Sequence, residues 1–166
     1  MKKVVFFVVI LMLISAYRFA NKNKRARNAM EIERVGEVSK ITEVIDIANS
    51  YRGTPYKFGG TTKNGMDCSG LVFTSFKGID ITLPRSSRAM SAAGEKVDVS
   101  KVKRGDLLFF NIDRLDGPIN HVGLVISTGS NTVQFIHSST SKGVVIASLE
   151  ESYWKKAFVF AKRIIN

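Results

Sequence analysis

The sequence predicts an α+β domain in which N-terminal helices pack on a mostly antiparallel sheet. Apolar residues recur at helical spacing in the first half of the chain, and strand-length apolar runs follow from about residue 107. The 166 residues are 45% hydrophobic, which is enough for one core. With 13 Gly, 3 Pro and no triplet or heptad repeat, collagen-like, coiled-coil and solenoid architectures are excluded.

The first twenty residues have the pattern of an export signal. A basic start precedes the apolar run 4–14, and Ala16 and Ala20 offer positions for cleavage. Eleven apolar residues are fewer than the roughly 20 that a membrane-spanning helix needs. The cations in 18–27 favour an uncleaved anchor instead, because positive charge usually stays on the cytoplasmic side. Residues 1–20 are therefore a predicted signal peptide or N-terminal anchor.

This leader implies export to the periplasm or cell envelope, with membrane contact only through the N-terminal segment. Lipid attachment needs a Cys directly after the apolar run, and the single Cys is Cys68, so a lipoprotein is not expected. One Cys cannot form an internal disulfide. Cys68 is therefore a packed apolar residue, a ligand or a nucleophile.

The net charge of +11 is concentrated at the N-terminus. Residues 1–30 hold seven of the 25 cations and no acid, which leaves about +4 on the remainder. The remainder has neither zinc-finger spacing nor an aromatic and basic RNA-binding signature, so nucleic acid is not an expected partner.

The elements of the exported part follow in order. Residues 21–38 are polar and charged and are predicted to form a tether before a domain at 39–166. Ser39 offers an N-cap for a first helix at about 40–51. Residues 52–67 contain four Gly and one Pro, and they are predicted to form a long functional loop.

Two short helices and a sheet should follow that loop. One helix begins near Cys68 and ends at Gly78, and another is capped by Ser86 or Ser87 and stops before Gly94. Gly105 lies in a turn that precedes the sheet. The predicted strands are Leu107–Phe110, Val122–Ile126, Thr132–Ile136, Val144–Ala147 and Ala157–Ile164, with a hairpin turn at Thr128–Asn131.

Cys68 joins the glycine-rich loop to a helix, where unpaired N–H groups and the helix dipole favour a thiolate. The same N–H groups can bind an oxyanion. The sequence therefore predicts a lowered pKa for this thiol and a role as nucleophile, while a buried, inert Cys is the alternative.

The two histidines of the chain lie at the ends of predicted neighbouring strands. His121 begins one strand and His137 ends the next, so a hairpin would place them side by side. A thiolate needs a neighbouring imidazole, and the imidazole needs a third group to fix its tautomer. The three residues could instead bind zinc, although no close ligand pair of the usual spacing is present.

Several motifs in order resemble the NlpC family of bacterial cell-wall cysteine peptidases, which have a papain-like fold. The resemblance covers about residues 40–165. Its motifs are Gly53–Gly60 (GTPYKFGG), Asp67–Val72 (DCSGLV), Leu83–Ser87 (LPRSS), Arg104–Phe110 (RGDLLFF), His121–Leu124 (HVGL) and Ile136–Ser139 (IHSS).

The resemblance implies Cys68 as nucleophile, His121 as base and later acid, and His137 as the group that orients it. It also implies that Tyr56 lies near the oxyanion site, and that the substrate groove is lined by Asp67, Ser69 and Arg85. Core packing of Tyr56, helix capping by Asp67 and Ser69, and simple solvation of Arg85 are the structural alternatives.

The implied reaction is hydrolysis of an amide in peptidoglycan stem peptides, at the bond between D-glutamate and diaminopimelate or lysine, without metal or organic cofactor. Two other functions are consistent with the sequence. One is an amidase that cuts between muramic acid and L-alanine, and the other is a wall-binding module without catalytic activity.

Overall fold

The computed structural model describes residues 2–129 and 132–166, with only the backbone for residues 2–16. It divides into two compact units, Met1–Val38 and Ser39–Asn166. The helices are α1 Lys2–Asn49, α2 Cys68–Lys77, α3 Ser87–Met90 and α4 Ser152–Ala157. The strands are β1 Thr61–Thr62, β2 Gly65–Met66, β3 Glu95–Val97, β4 Leu107–Phe110, β5 His121–Thr128, β6 Val133–Ser139, β7 Gly143–Ser148 and β8 Phe158–Arg163.

Helix α1 is much longer than the sequence predicts. Ser39 lies inside it and is not an N-cap, and the segment 21–38 is helical with nearly all of its side chains exposed. That segment has no Pro and consists largely of good helix formers, and Gly36 costs only about 1 kcal/mol. Over the residues whose side chains are described, no helix has a stretch long and apolar enough to span a bilayer.

Six strands form the main sheet in the order β3-β8-β4-β5-β6-β7, and every neighbouring pair is antiparallel. The predicted α+β class is confirmed. Each predicted strand is present within a few residues of its expected bounds. Residues 130 and 131 of the predicted hairpin turn lie outside the described residues, and the Gly129 amide next to them donates to the carbonyl of Thr132 at 2.8 Å.

The sheet is buried on both faces. Leu107 and Phe109 belong to one core cluster together with residues of α2 and the end of α1, whereas Leu108 and Phe110 belong to a second cluster with Trp154. Alternation along a strand sends successive side chains to opposite faces. The N-terminal helices therefore cover one face as predicted, and α4, which the sequence analysis did not identify, covers the other.

The loop at 52–67 is hydrogen-bonded to the edge of the sheet. The Gly53 amide donates to the carbonyl of Val144, and the Val144 amide donates to the carbonyl of Thr54, both at 2.9 Å. Gly143 has φ +66°, and a Cβ there would lie 2.1 Å from the carbonyl oxygen of Thr54, so only glycine allows this close approach. The buried Ser138 hydroxyl also donates to the carbonyl of Met66 at 2.7 Å. The loop that leads to Cys68 is therefore fixed against β6 and β7.

Candidate active site

Cys68 is the first residue of α2, as the sequence predicts. Asp67 caps the helix because its carboxylate accepts a hydrogen bond from the Gly70 amide at 2.6 Å. The thiol is half-buried, and the backbone amide of Val122 is among the groups that hydrogen-bond its ionised form. Since Val122 follows His121 in β5, the sulfur lies at the beginning of that strand.

The predicted acidity of this thiol is wrong for the free protein. Burial raises the pKa of Cys68 to about 11, and the negative charge of Asp67 adds to the increase. The amides of Val122, Ser69 and Cys68 itself act in the opposite direction. The amides at the helix start therefore lower the pKa of the thiol, but burial raises it by more. The resting thiol is neutral.

His121 and His137 form a direct hydrogen bond, with Nε2 of His121 3.0 Å from Nδ1 of His137. The register of β5 and β6 explains the contact, because Leu124 pairs with Ile136 and places both histidines on the opposite face. Burial lowers the pKa of His137 to about 4. The pKa of His121 is also well below its ordinary value, through burial first and then the charges of His137 and Arg114. Both rings are neutral near pH 7.

Trp154 completes the surroundings of the histidine pair. Its ring stacks on His121 at a centroid distance of 5.4 Å and meets His137 edge-on at 4.6 Å. Nothing in the local sequence indicates this position next to the histidines, although Trp154 is the single Trp of the chain. Its contacts restrict the orientation of both imidazoles and keep water from one side of each ring.

Because both histidines are buried, we expect the free energy of unfolding to fall as the pH falls from about 6.5 to 4.5. The unfolded chain takes up protons near the ordinary histidine pKa, whereas the folded pKa of His137 is about 4, so protons favour the unfolded state in this window. Each histidine contributes up to about 1.4 kcal/mol per pH unit. Urea unfolding followed by circular dichroism at several pH values measures the effect.

The double variant His121→Gln/His137→Gln is the control for that measurement, because it removes both titrating rings. Its urea midpoint should change much less between pH 6.5 and 4.5. The pKa of Asp67 is held below its ordinary value, so that carboxylate loses its contribution only at lower pH. A wild-type midpoint that stays flat across the window would contradict the prediction.

The charge of the ionised Cys68 affects the pKa of Tyr56. Burial raises the pKa of the Tyr56 hydroxyl, the charges of Cys68 and Asp67 raise it further, and Arg114 lowers it. The half-buried ring is therefore within electrostatic range of Cys68 and Arg114, and its hydroxyl is protonated. A protonated phenol can donate a hydrogen bond to a developing oxyanion.

Asp67, Ser69 and Arg85 form one hydrogen-bonded cluster beside the thiol. The Arg85 guanidinium makes a two-point contact with the Asp67 carboxylate, at 2.9 and 2.8 Å, and Nη1 also donates to the Ser69 hydroxyl at 2.9 Å. Burial alone would raise the pKa of Asp67, but the hydrogen bonds of Arg85 and Gly70 keep it lower than usual. Arg85 is thus bound to protein groups, and Asp67 is the helix cap as well as the partner of this cation.

Within the described residues, no group of three or more His, Cys, Asp or Glu side chains is arranged so that it could hold a metal ion. The histidine pair donates and accepts within itself, and the thiol faces backbone amides. The described arrangement is suited to a thiol that passes a proton to an imidazole, with N–H groups available for an oxyanion.

Comparison with known proteins agrees with the motifs and the fold. The probable endopeptidase NlpC homolog of Haemophilus influenzae is 42% identical over 120 residues, 72% of this chain and 60% of that protein. The murein DD-endopeptidase MepS/murein LD-carboxypeptidase of Escherichia coli K12 is 38% identical over 133 residues, 80% of this chain and 67% of that protein. The chain thus spans about 60 to 67% of the length of these two relatives.

A solved structure of similar fold is the peptidoglycan hydrolase RipB of Mycobacterium tuberculosis. It has a TM-score of 0.66 and 30% identity, over 80% of this chain and 68% of that one. The sequence also matches the NlpC/P60 family over residues 53–163, about two thirds of the chain. The resemblance found in the motifs is therefore confirmed, and the chain belongs to the NlpC/P60 family.

Proposed function

We propose that the protein is a cysteine endopeptidase that hydrolyses an amide bond in the peptide stem of peptidoglycan. The proposal depends on one observation. Cys68, the first residue of α2, lies next to the start of β5, and the first residue of β5, His121, is hydrogen-bonded to His137. The relatives support the substrate class, because one is a murein endopeptidase and carboxypeptidase and another is a peptidoglycan hydrolase. Activity in the cell envelope, outside the cytoplasm, follows from that substrate.

In the proposed first step, the Cys68 thiol passes its proton to His121 while the sulfur attacks the carbonyl carbon. The contact with His137 occupies Nε2 of His121, which leaves Nδ1 to accept the proton. For this, His121 carries its proton on Nε2 and donates to Nδ1 of His137. Because the resting thiol and imidazole are both neutral, this transfer is driven by substrate binding and by the oxyanion contacts.

The developing oxyanion needs donors near the sulfur. The amides at the start of α2 and the protonated Tyr56 hydroxyl are the groups available for this role. His121 then gives its proton to the departing amine, and a thioester remains on Cys68. Water, deprotonated by the same imidazole, attacks the thioester and releases the acid, which restores the neutral thiol.

The bond that we propose is the one between D-glutamate and diaminopimelate, as the family resemblance implies. The relative from Escherichia coli has both DD-endopeptidase and LD-carboxypeptidase activity in its name, so two other bonds in the stem are direct competitors. An amidase that cuts between muramic acid and L-alanine, or a binding module without activity, gives different products.

Digestion of purified muropeptides, followed by mass spectrometry, tests the proposal. Cleavage at the γ-glutamyl bond should release the fragment that begins at diaminopimelate and leave L-alanyl-D-glutamate on the sugar. An amidase would release whole stem peptides that begin with an L-alanine bearing a free amino group. A DD-endopeptidase would separate cross-linked dimers, and an LD-carboxypeptidase would remove only a terminal D-alanine. Unchanged muropeptides at high protein concentration would exclude the proposed activity.

A further inference from the structure

A cavity of about 450 Å³ lies beside the histidine pair. It is bounded by the connection between β4 and β5, by the turn between β6 and β7, and by α4. His121, His137 and Trp154 form part of its wall. Among the described residues, none from 52 to 85 lines this cavity, so it is separate from the cluster of Asp67, Ser69 and Arg85.

The position of the cavity relates it to the leaving half of the substrate. In the proposed reaction, His121 protonates the departing amine, so the residue that carries this amine must lie against His121. The acyl half remains on Cys68, which follows the loop at 52–67 and does not line the cavity. A cavity that touches both imidazoles but none of residues 52 to 85 is thus available to the leaving residue.

The polar groups of the cavity favour an anion. Its charged lining residues are the cations Arg114 and Lys142 and the acid Glu151, as far as the described residues extend. The Glu151 carboxylate already accepts a hydrogen bond from the Ser148 amide at 2.8 Å. Arg114 reaches across the cavity wall, because its Nη2 donates to the Thr140 hydroxyl at 2.9 Å and connects two segments 26 residues apart.

Arg114 is also near the reacting groups. Its positive charge lowers the pKa of both His121 and the Tyr56 hydroxyl, and it lines the same cavity as His121. The side chain is exposed, and within the described part of the chain it makes no ion pair with an acid. A guanidinium held by one neutral hydroxyl retains N–H donors for a two-point contact with a carboxylate.

We propose that this cavity binds the leaving residue of the stem peptide and that Arg114 contacts a carboxylate on that residue. This inference rests on the proposed function, because the proposed bond makes diaminopimelate the leaving residue. Diaminopimelate, unlike lysine, carries a carboxylate on its side chain. The cavity would then be a specificity site that favours a free carboxylate over a carboxamide or a lysine side chain.

Two synthetic tripeptides test the inference, L-alanyl-γ-D-glutamyl-diaminopimelate and the same peptide with the side-chain carboxylate converted to a carboxamide. The wild-type protein should cleave the free acid with the higher kcat/KM, by about 10- to 100-fold, the range for a hydrogen-bonded ion pair. Arg114→Gln should remove most of this preference, because kcat/KM for the acid should fall much further than kcat/KM for the amidated peptide. Arg114→Lys should restore part of it.

Arg104→Gln is the matched control, because Arg104 is an exposed arginine that does not line the cavity. It precedes the first residue of β4, whereas the last residue of β4 pairs with His121. The variant should keep the full preference. The inference is overturned when Arg114→Gln lowers both substrates equally or changes neither, with an unchanged melting temperature. Failure of the wild-type protein to cleave either peptide is a different result, which refutes the proposed function itself.

Discussion

Cys68→Ala is expected to abolish hydrolysis of muropeptides, with kcat lower by a factor on the order of 10⁴ to 10⁶. The variant removes the atom that would form the thioester, and no other thiol is present in the chain. Cys68 is half-buried at a helix start that Asp67 caps, so the fold should be retained within about 1 kcal/mol. Mass spectrometry of digests measures the loss, and circular dichroism confirms folding.

Cys68→Ser is the companion to this variant, because it keeps the shape of the side chain and replaces the sulfur by a poorer nucleophile at neutral pH. It should bind muropeptides like the wild-type protein and release product very slowly. Full activity of Cys68→Ala on purified muropeptides would refute both the nucleophile and the proposed mechanism.

Asp67→Asn is expected to destabilise the fold by about 2 kcal/mol, because it removes the charge that Arg85 contacts at two points, while solvent partly screens the exposed part of the guanidinium. The Asp67 side chain is only 9% exposed and that of Arg85 37%, so the guanidinium would be left partly buried without its anion. Asn is as good an N-cap as Asp, so the cap of α2 is preserved and the loss reports the ion pair. The urea midpoint measures it.

Asp113→Asn is the matched control, with the same chemical change in an exposed ion pair. The Asp113 carboxylate lies 3.0 Å from Nζ of Lys156, and both side chains are about 80% exposed. Solvent screens this pair, so the variant should change the free energy of unfolding by less than about 1 kcal/mol. Equal losses in Asp67→Asn and Asp113→Asn would contradict the structural role assigned to the half-buried pair of Asp67 and Arg85.

The local signals in the sequence predict much of this architecture. Ser86 is one of the two caps predicted for α3, and Asp67 caps α2, the alternative to its place in the substrate groove. The runs that begin at Leu107 and end near Ile164 become the sheet. These features depend on a few neighbouring residues and on alternation, which a single sequence contains. The two histidines also come together because a short hairpin connection makes their strands neighbours.

The remaining features depend on contacts between distant residues. The neutral state of Cys68 follows from burial against β5, which is more than fifty positions away along the chain. Trp154 meets the histidines only because α4 folds over the second face of the sheet. The helical conformation of 21–38 depends on local sequence, because these residues are good helix formers. Their polar composition alone favours a tether, which is why the prediction is wrong there.

The hydrogen bond from Ser138 to Met66 spans 72 positions, and the bonds between Val144 and the loop at 53–54 span about ninety. Contacts of this sequence separation form late, because closing such long segments costs the most entropy before any contact repays it. Cys68 and the histidine pair therefore come together only after the last third of the chain has been synthesised and folded. A nascent polypeptide is thus latent, and a truncated product that ends before β7 would lack the assembled site.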